Sequence, residues 1–228
     1  MVEQTQSPQV PSSAEPEEQP VNQHDASAKR RAGVRETLAL ILLAVTAILT
    51  AWCGFESSKW GGEMSIAFSR ASSARIEAAR QQGLANTSQQ QDLMIYSVYV
   101  QAEAEGNIKL AEYVKARFTE PFKIAFEAWV AAGRPTNAPF AMPEYVPPGT
   151  IESAAADQRA DQLFAQALAN NQRGDNYTLL TVLAALVLFF AAISSRLSSP
   201  TKQWAALGLA LVLFVVGAGI VATFPVII

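Results

Sequence analysis

The sequence predicts an all-α membrane protein, with three transmembrane helices plus an extracytoplasmic antiparallel helical bundle. Three observations lead there. Residues 37–55, 176–195 and 203–228 contain no Asp, Glu, Lys, Arg or His. At about 1.5 Å per residue, each is long enough to cross a hydrocarbon core of about 30 Å. Half of all residues are hydrophobic and 16% are charged, a balance skewed toward membrane proteins. The long segment between the first two windows carries its apolar residues at helical rather than alternating spacing.

Residues 1–35 read as a disordered cytoplasmic tail. Up to about position 28 the chain is rich in Gln, Glu, Pro and Ser, and buries too little apolar surface to offset the entropy of ordering. Its end is basic, with Lys29, Arg30, Arg31 and Arg35, and the short 196–202 loop carries Arg196 and Lys202. Both segments are therefore expected on the cytoplasmic side. That orientation places residues 56–175 and the C-terminus outside. The first span, 37–55, follows too long a leader and is too long itself for a cleaved signal core, so it is expected to stay attached. The lone Cys53 follows Trp52, which excludes a lipidated cysteine, and it reads as a helix residue near the membrane boundary. Trp52, Trp60, Tyr177 and Trp204 fall near span ends, where amphipathic rings anchor at the interface.

Within 56–175, Gly61-Gly62 weakens the case for one unbroken helix and Gly83 is a natural stop. A second helix is expected from Thr87 or Ser88 to a break at Gly106-Asn107, where Asn107 can cap a third. Thr119 and Pro121 mark another start, since proline is tolerated in a first turn. Phe118, Phe122, Ala125, Phe126 and Trp129 then share one face, which reads as bundle core. Five prolines between positions 133 and 149 exclude helix and central strand there, with Phe140, Met142 and Tyr145 expected to pin the segment down. Thr150 opens a last amphipathic helix running through Leu163, Phe164, Ala167 and Leu168 toward the second span, 176–195. The third span covers 203–225.

Two features are candidate sites. Ala44, Ala47, Ala51, Gly54, Ser58, Gly61 and Ser65 recur at steps of three and four, a seam of small residues that would let another helix approach closely. Arg173, Gly174, Asp175 and Asn176 form the junction between bundle and second span. Although they include an Arg-Gly-Asp tripeptide, the flanking helix and span favour a hinge and cap over an adhesion loop: Asp175 and Asn176 would cap the incoming span, and Arg173 would reach a phosphate or a carboxylate.

Catalytic sets are mostly missing. The single histidine, His24, lies in the tail and the single cysteine at the first span, so Ser-His, Cys-His and His/Cys metal clusters have no members to build from. No phosphate-binding glycine loop accompanies a strand. The outer segment holds 11 basic against 14 acidic side chains, leaving no basic stripe for nucleic acid. No cofactor is expected. Spans without ionisable groups speak against an autonomous transporter.

The blocks ARFTEPFKIAFEAW, PFAMPEY and NQRGDNY, in that order, make the chain similar to an uncharacterised family of bacterial three-span integral membrane proteins with an extracytoplasmic helical domain. The match covers nearly everything after residue 35. One departure is Glu120-Pro121, whose order is reversed relative to the family block. The resemblance implies a bacterial origin and the three-span topology, and carries no activity; together with the charge asymmetry this gives the bacterial inner membrane as the expected location. The expected role is a non-enzymatic accessory, sensor or scaffold whose partners are the lipid bilayer and itself or another membrane protein, with a subunit of a transport or channel assembly as the alternative.

Overall fold

The computed structural model describes residues 23–227. It is all helical among them, with α1 Gln23–Ala104, α2 Ile108–Lys115, α3 Glu120–Ala131, a 3-10 turn Pro139–Ala141, α4 Thr150–Ser194 and α5 Pro200–Thr223. Three of these, α1, α4 and α5, are long and apolar enough to cross a membrane. Residues 1–22 of the expected tail lie outside the described residues, whereas 23–35, expected as tail, belong to α1.

The chain divides into two compact units. The first comprises the residues up to Leu49 together with Leu183–Ala218. Here Ala39 and Leu42 of α1, Val187 and Ala191 of α4, and Leu207 and Ala210 of α5 form one buried cluster. Outside it the polarity is inverted relative to a water-soluble bundle. Leu40, Ile48, Leu186, Phe189, Leu211, Val212 and Val215 are all exposed, the pattern of helices solvated by lipid. Gly217 sits tightly against Leu183, where a Cβ would come 3.1 Å from a leucine methyl. Arg35 donates to the Gln203 side chain, which also bonds the Leu197 carbonyl, so the polar end of this unit satisfies its own groups.

The second unit comprises Thr50–Val182 and Gly219–Ile228. Its axis is an antiparallel pair made by α1 and α4, because partners descend along one helix as they ascend along the other. Ser57 meets Gly174, Phe68 meets Phe164, Arg75 meets Asp161 and Asp157, and Gln82 meets Ser153. The contact line on α1 advances by alternating steps of four and three: Cys53, Ser57, Trp60, Met64, Ala67, Ala71, Ala74, Ala78, Gln81, Ala85, Ser88 and Asp92 are all buried or half-buried. On α4 the matching line is Ser153, Ala156, Ala160, Leu163, Ala167, Asn170, Gly174 and Tyr177. A period of 3.5 is that of helices that wrap around each other, and side chains this small let two backbones lie close.

That packing explains why the predicted breaks are absent. α1 continues without interruption through Gly61-Gly62 and Gly83 and past Thr87 and Ser88. Each glycine costs the helix about 1 kcal/mol relative to alanine, and the continuous seam against α4 outweighs it. The expected start at Thr87 is replaced by an ordinary helical hydroxyl, donating back to the Gly83 carbonyl.

The break at Gly106-Asn107 forms as the sequence predicts. Gly106 adopts φ +70° and the Asn107 side chain caps α2 by accepting from the Leu110 amide. Thr119 precedes α3 with Pro121 in its first turn, although its side chain makes no cap. Phe118, Phe122, Ala125, Phe126 and Trp129 are all buried, as their spacing requires, and Phe140, Met142 and Tyr145 of the proline-rich segment pack on them. Tyr96 and Tyr99 of α1 complete this aromatic head with a series of edge-to-face contacts. Such contacts add to what burial alone contributes. Gly149, at φ +91°, closes the segment against α1, where any Cβ would overlap the Gln81 carbonyl.

Candidate functional site

Two buried carboxylates stand out in this unit. Asp92 and Glu56 are both fully buried, and both belong to α1. The sequence reading named neither as a site residue. The signal for Asp92 is visible in retrospect: it continues Ala71, Ala78 and Ala85 at the same step of seven, so a carboxylate occupies a core position. Glu56 is the first residue past the charge-free window and lies between the buried Cys53 and Trp60.

Asp92 joins three parts of the head. The Thr119 hydroxyl donates to its Oδ1 at 2.5 Å and the Tyr145 hydroxyl donates to its Oδ2 at 2.9 Å. Those partners lie at the start of α3 and at the end of the proline-rich segment, 27 and 53 residues along the chain. Both carboxylate oxygens are therefore paired, which is the condition under which a buried polar group stabilises rather than costs. Burial, and then the bond to the Asp92 carboxylate, push the Tyr145 phenol above its ordinary range. Burial likewise raises Tyr96 and Tyr99. In each case the neutral phenol is the form the head accepts.

Glu56 is less completely paired. Its Oε2 accepts the Ile227 amide at 3.1 Å, while Oε1 has no partner among the described residues. One helical turn on, the Trp60 indole N–H is also buried with no partner among them. Tyr177 of α4 is buried beside them and donates its hydroxyl to the Pro225 carbonyl at 3.1 Å, and its ring meets Phe224 edge-on. Trp60 and Tyr177 are thus interior residues rather than interface anchors. Trp52 and Trp204 remain exposed, as an anchoring role requires.

The predicted junction falls at this same place, with a different structure. α4 runs unbroken from Thr150 to Ser194, so Arg173, Gly174, Asp175 and Asn176 are mid-helix and form neither hinge nor cap. Asp175 accepts from Asn171 and Asn176 accepts from Gln172, both ordinary pairs four residues apart. Gly174 is buried because α1 passes closely. A Cβ on it would lie 3.4 Å from the Ser57 carbonyl, and its own carbonyl accepts the Ser57 hydroxyl. Arg173 makes no ion pair with a carboxylate among the described residues. Its guanidinium lies 4.6 Å from the Trp60 ring centre, a cation–π contact, and it donates to Asn170.

The predicted small-residue seam lies one position away from the contact line within the chain. Ala44, Ala47, Ala51, Gly54, Ser58 and Ser65 are exposed and Gly61 is half-buried, so this stripe does not pack against α4. Successive helix positions are about 100° apart, and tertiary packing has used the adjacent face. The same offset occurs in α5, where Gly208, Val212, Val215 and Gly219 are exposed while Leu207, Ala210 and Gly217 are buried.

Among the described residues no three His, Cys, Asp or Glu side chains lie close enough to share a metal ion. One surface cavity of about 330 Å³ lies between α1 and the proline-rich segment, lined by Asn86, Gln89, Gln90, Leu93 and Phe140. Another of about 300 Å³ lies along the helix pair at Phe68, Arg75 and Phe164. Neither presents a nucleophile beside a base. No protein family, curated protein or solved structure matches the chain.

Proposed function

We propose that this chain is a non-enzymatic scaffold or sensor of the bacterial inner membrane, with its helical head outside the cytoplasm and binding a protein partner there. The observation that carries the reading is the Asp92 hub. By tying the start of α3 and the proline-rich segment to α1, it presents a preorganised surface, which lowers the ordering cost of association. Residues on the outside of that head support a protein partner, since Ile108, Tyr113, Ile124 and Val130 are large, apolar and exposed. The orientation rests on the basic residues ahead of the first span and in the 196–202 loop.

A photo-crosslinking residue at position 108 or 113, introduced into cells and followed by mild detergent extraction, tests the reading. A discrete crosslinked species of constant mass at both positions is expected. A monomer without adducts at either position overturns it. A reporter active only in the cytoplasm, fused after Gly149, would overturn the orientation if it were active. The second reading, a subunit of a transport or channel assembly, draws on the exposed Ala44 to Ser65 stripe, which leaves α1 a face for another membrane helix. Crosslinks confined to that stripe, with none from the head, would favour it.

A further inference from the structure

We infer that the segment Phe224–Ile227 is a releasable strap that closes over Glu56 of α1 and Tyr177 of α4. Three contacts hold it, and each reads a different part of the segment. Tyr177 packs edge-on against the Phe224 ring at 5.4 Å, its hydroxyl donates to the Pro225 carbonyl, and Glu56 Oε2 accepts the Ile227 amide. Beyond Thr223 the chain has left α5, so these backbone groups have no helical partners and depend on the side chains of the other two helices.

The contact is built to open. The strap covers more hydrogen-bonding capacity than it satisfies, because the Glu56 carboxylate that accepts from Ile227 keeps its Oε1 buried with no partner among the described residues while the strap is closed. That oxygen would regain water on opening, and the gain opposes closure. Glu56 and Cys53 both lie near the Tyr177 phenol, and Arg173 lies over the Trp60 ring one turn on. Cys53, 1% exposed, begins the α1 line that packs against α4, so its burial does not depend on the strap.

The experiment uses the full chain in detergent micelles, with amide exchange at Ile227 as the readout. In the unsubstituted protein the Ile227 amide is expected to be protected. Tyr177→Phe removes only the hydroxyl and should speed that exchange by about tenfold, the factor that one net hydrogen bond represents. Glu56→Gln keeps an acceptor for Ile227 and should leave exchange nearly unchanged, whereas Glu56→Leu should raise it. If Glu56→Leu does not fold, Tyr177→Phe decides. Exchange at the free-chain rate in the unsubstituted protein overturns the strap. So does a Tyr177→Phe variant in which the Ile227 amide exchanges no faster.

Discussion

Replacing Asp92 by alanine should release the head from the helix pair without unfolding the pair itself. Asp92 is fully buried and accepts hydroxyl hydrogen bonds at 2.5 and 2.9 Å, from Thr119 and Tyr145. A hydrogen bond to a charged group contributes about 1.5 to 3 kcal/mol, and the substitution removes two of them while leaving two hydroxyls without their acceptor. At the lower bound the loss is about 3 kcal/mol, more than a hundredfold in an opening equilibrium. Hydrogen exchange resolves where that loss falls, because local opening has its own free energy, distinct from global unfolding. Amides of α2 and α3 should exchange about 100-fold faster in Asp92→Ala, with those of Ala67 to Ala78 unchanged. Asp92→Asn, which can still pair with both hydroxyls, should fall between. If Asp92→Ala leaves α2 and α3 within about threefold of the parent, the hub is not what holds the head, and the aromatic cluster suffices without it.

Three further outcomes follow from the same structure. Gly149→Ala should cost at least about 2 kcal/mol, since φ +91° is unfavourable for a side chain and the added carbon overlaps a backbone carbonyl that cannot yield; thermal unfolding in micelles reads it, and a neutral result refutes the close approach. Gly61→Ala, Gly62→Ala and Gly83→Ala should each stabilise by about 0.5 to 1 kcal/mol, because a Cβ there meets nothing within 4 Å and the helix is continuous; destabilisation of the triple variant would show that α1 bends at these points. Raising the pH past the ordinary tyrosine value, about 10, should loosen the head. Tyr145 is raised in the folded state, so the unfolded chain loses its proton first; the stabilisation is complete below the unfolded value and is lost as pH rises toward the folded one. Tyr145→Phe should reduce that alkaline sensitivity, monitored by near-UV circular dichroism of the head.

What the sequence determined by itself was everything governed by near neighbours and solvent. The three charge-free windows fall on helices long and apolar enough to cross a membrane, where a lone segment can pair its own backbone only as a helix. Asn107 caps α2, Pro121 opens α3 and the prolines after Gly133 exclude regular helix, each through geometry within a few residues. The aromatic face from Phe118 to Trp129 is buried because it gathers the large rings of this segment at helical spacing.

Only the tertiary structure decided which face of a long helix is used. Ala51, Gly54 and Ser58 and the adjacent Cys53, Ser57 and Trp60 both recur at steps of three and four, so spacing alone could not separate the stripe left exposed from the line against α4. The same partner helix carried α1 through three glycines and α4 through Gly174, since packing along a whole seam exceeds the propensity cost at single positions. Asp92 and Glu56 became interior for a related reason: a carboxylate is tolerated in a core when donors arrive to meet it. Those donors come from residues 27, 53 and 171 positions away, a distance over which only the folded chain sets the contact.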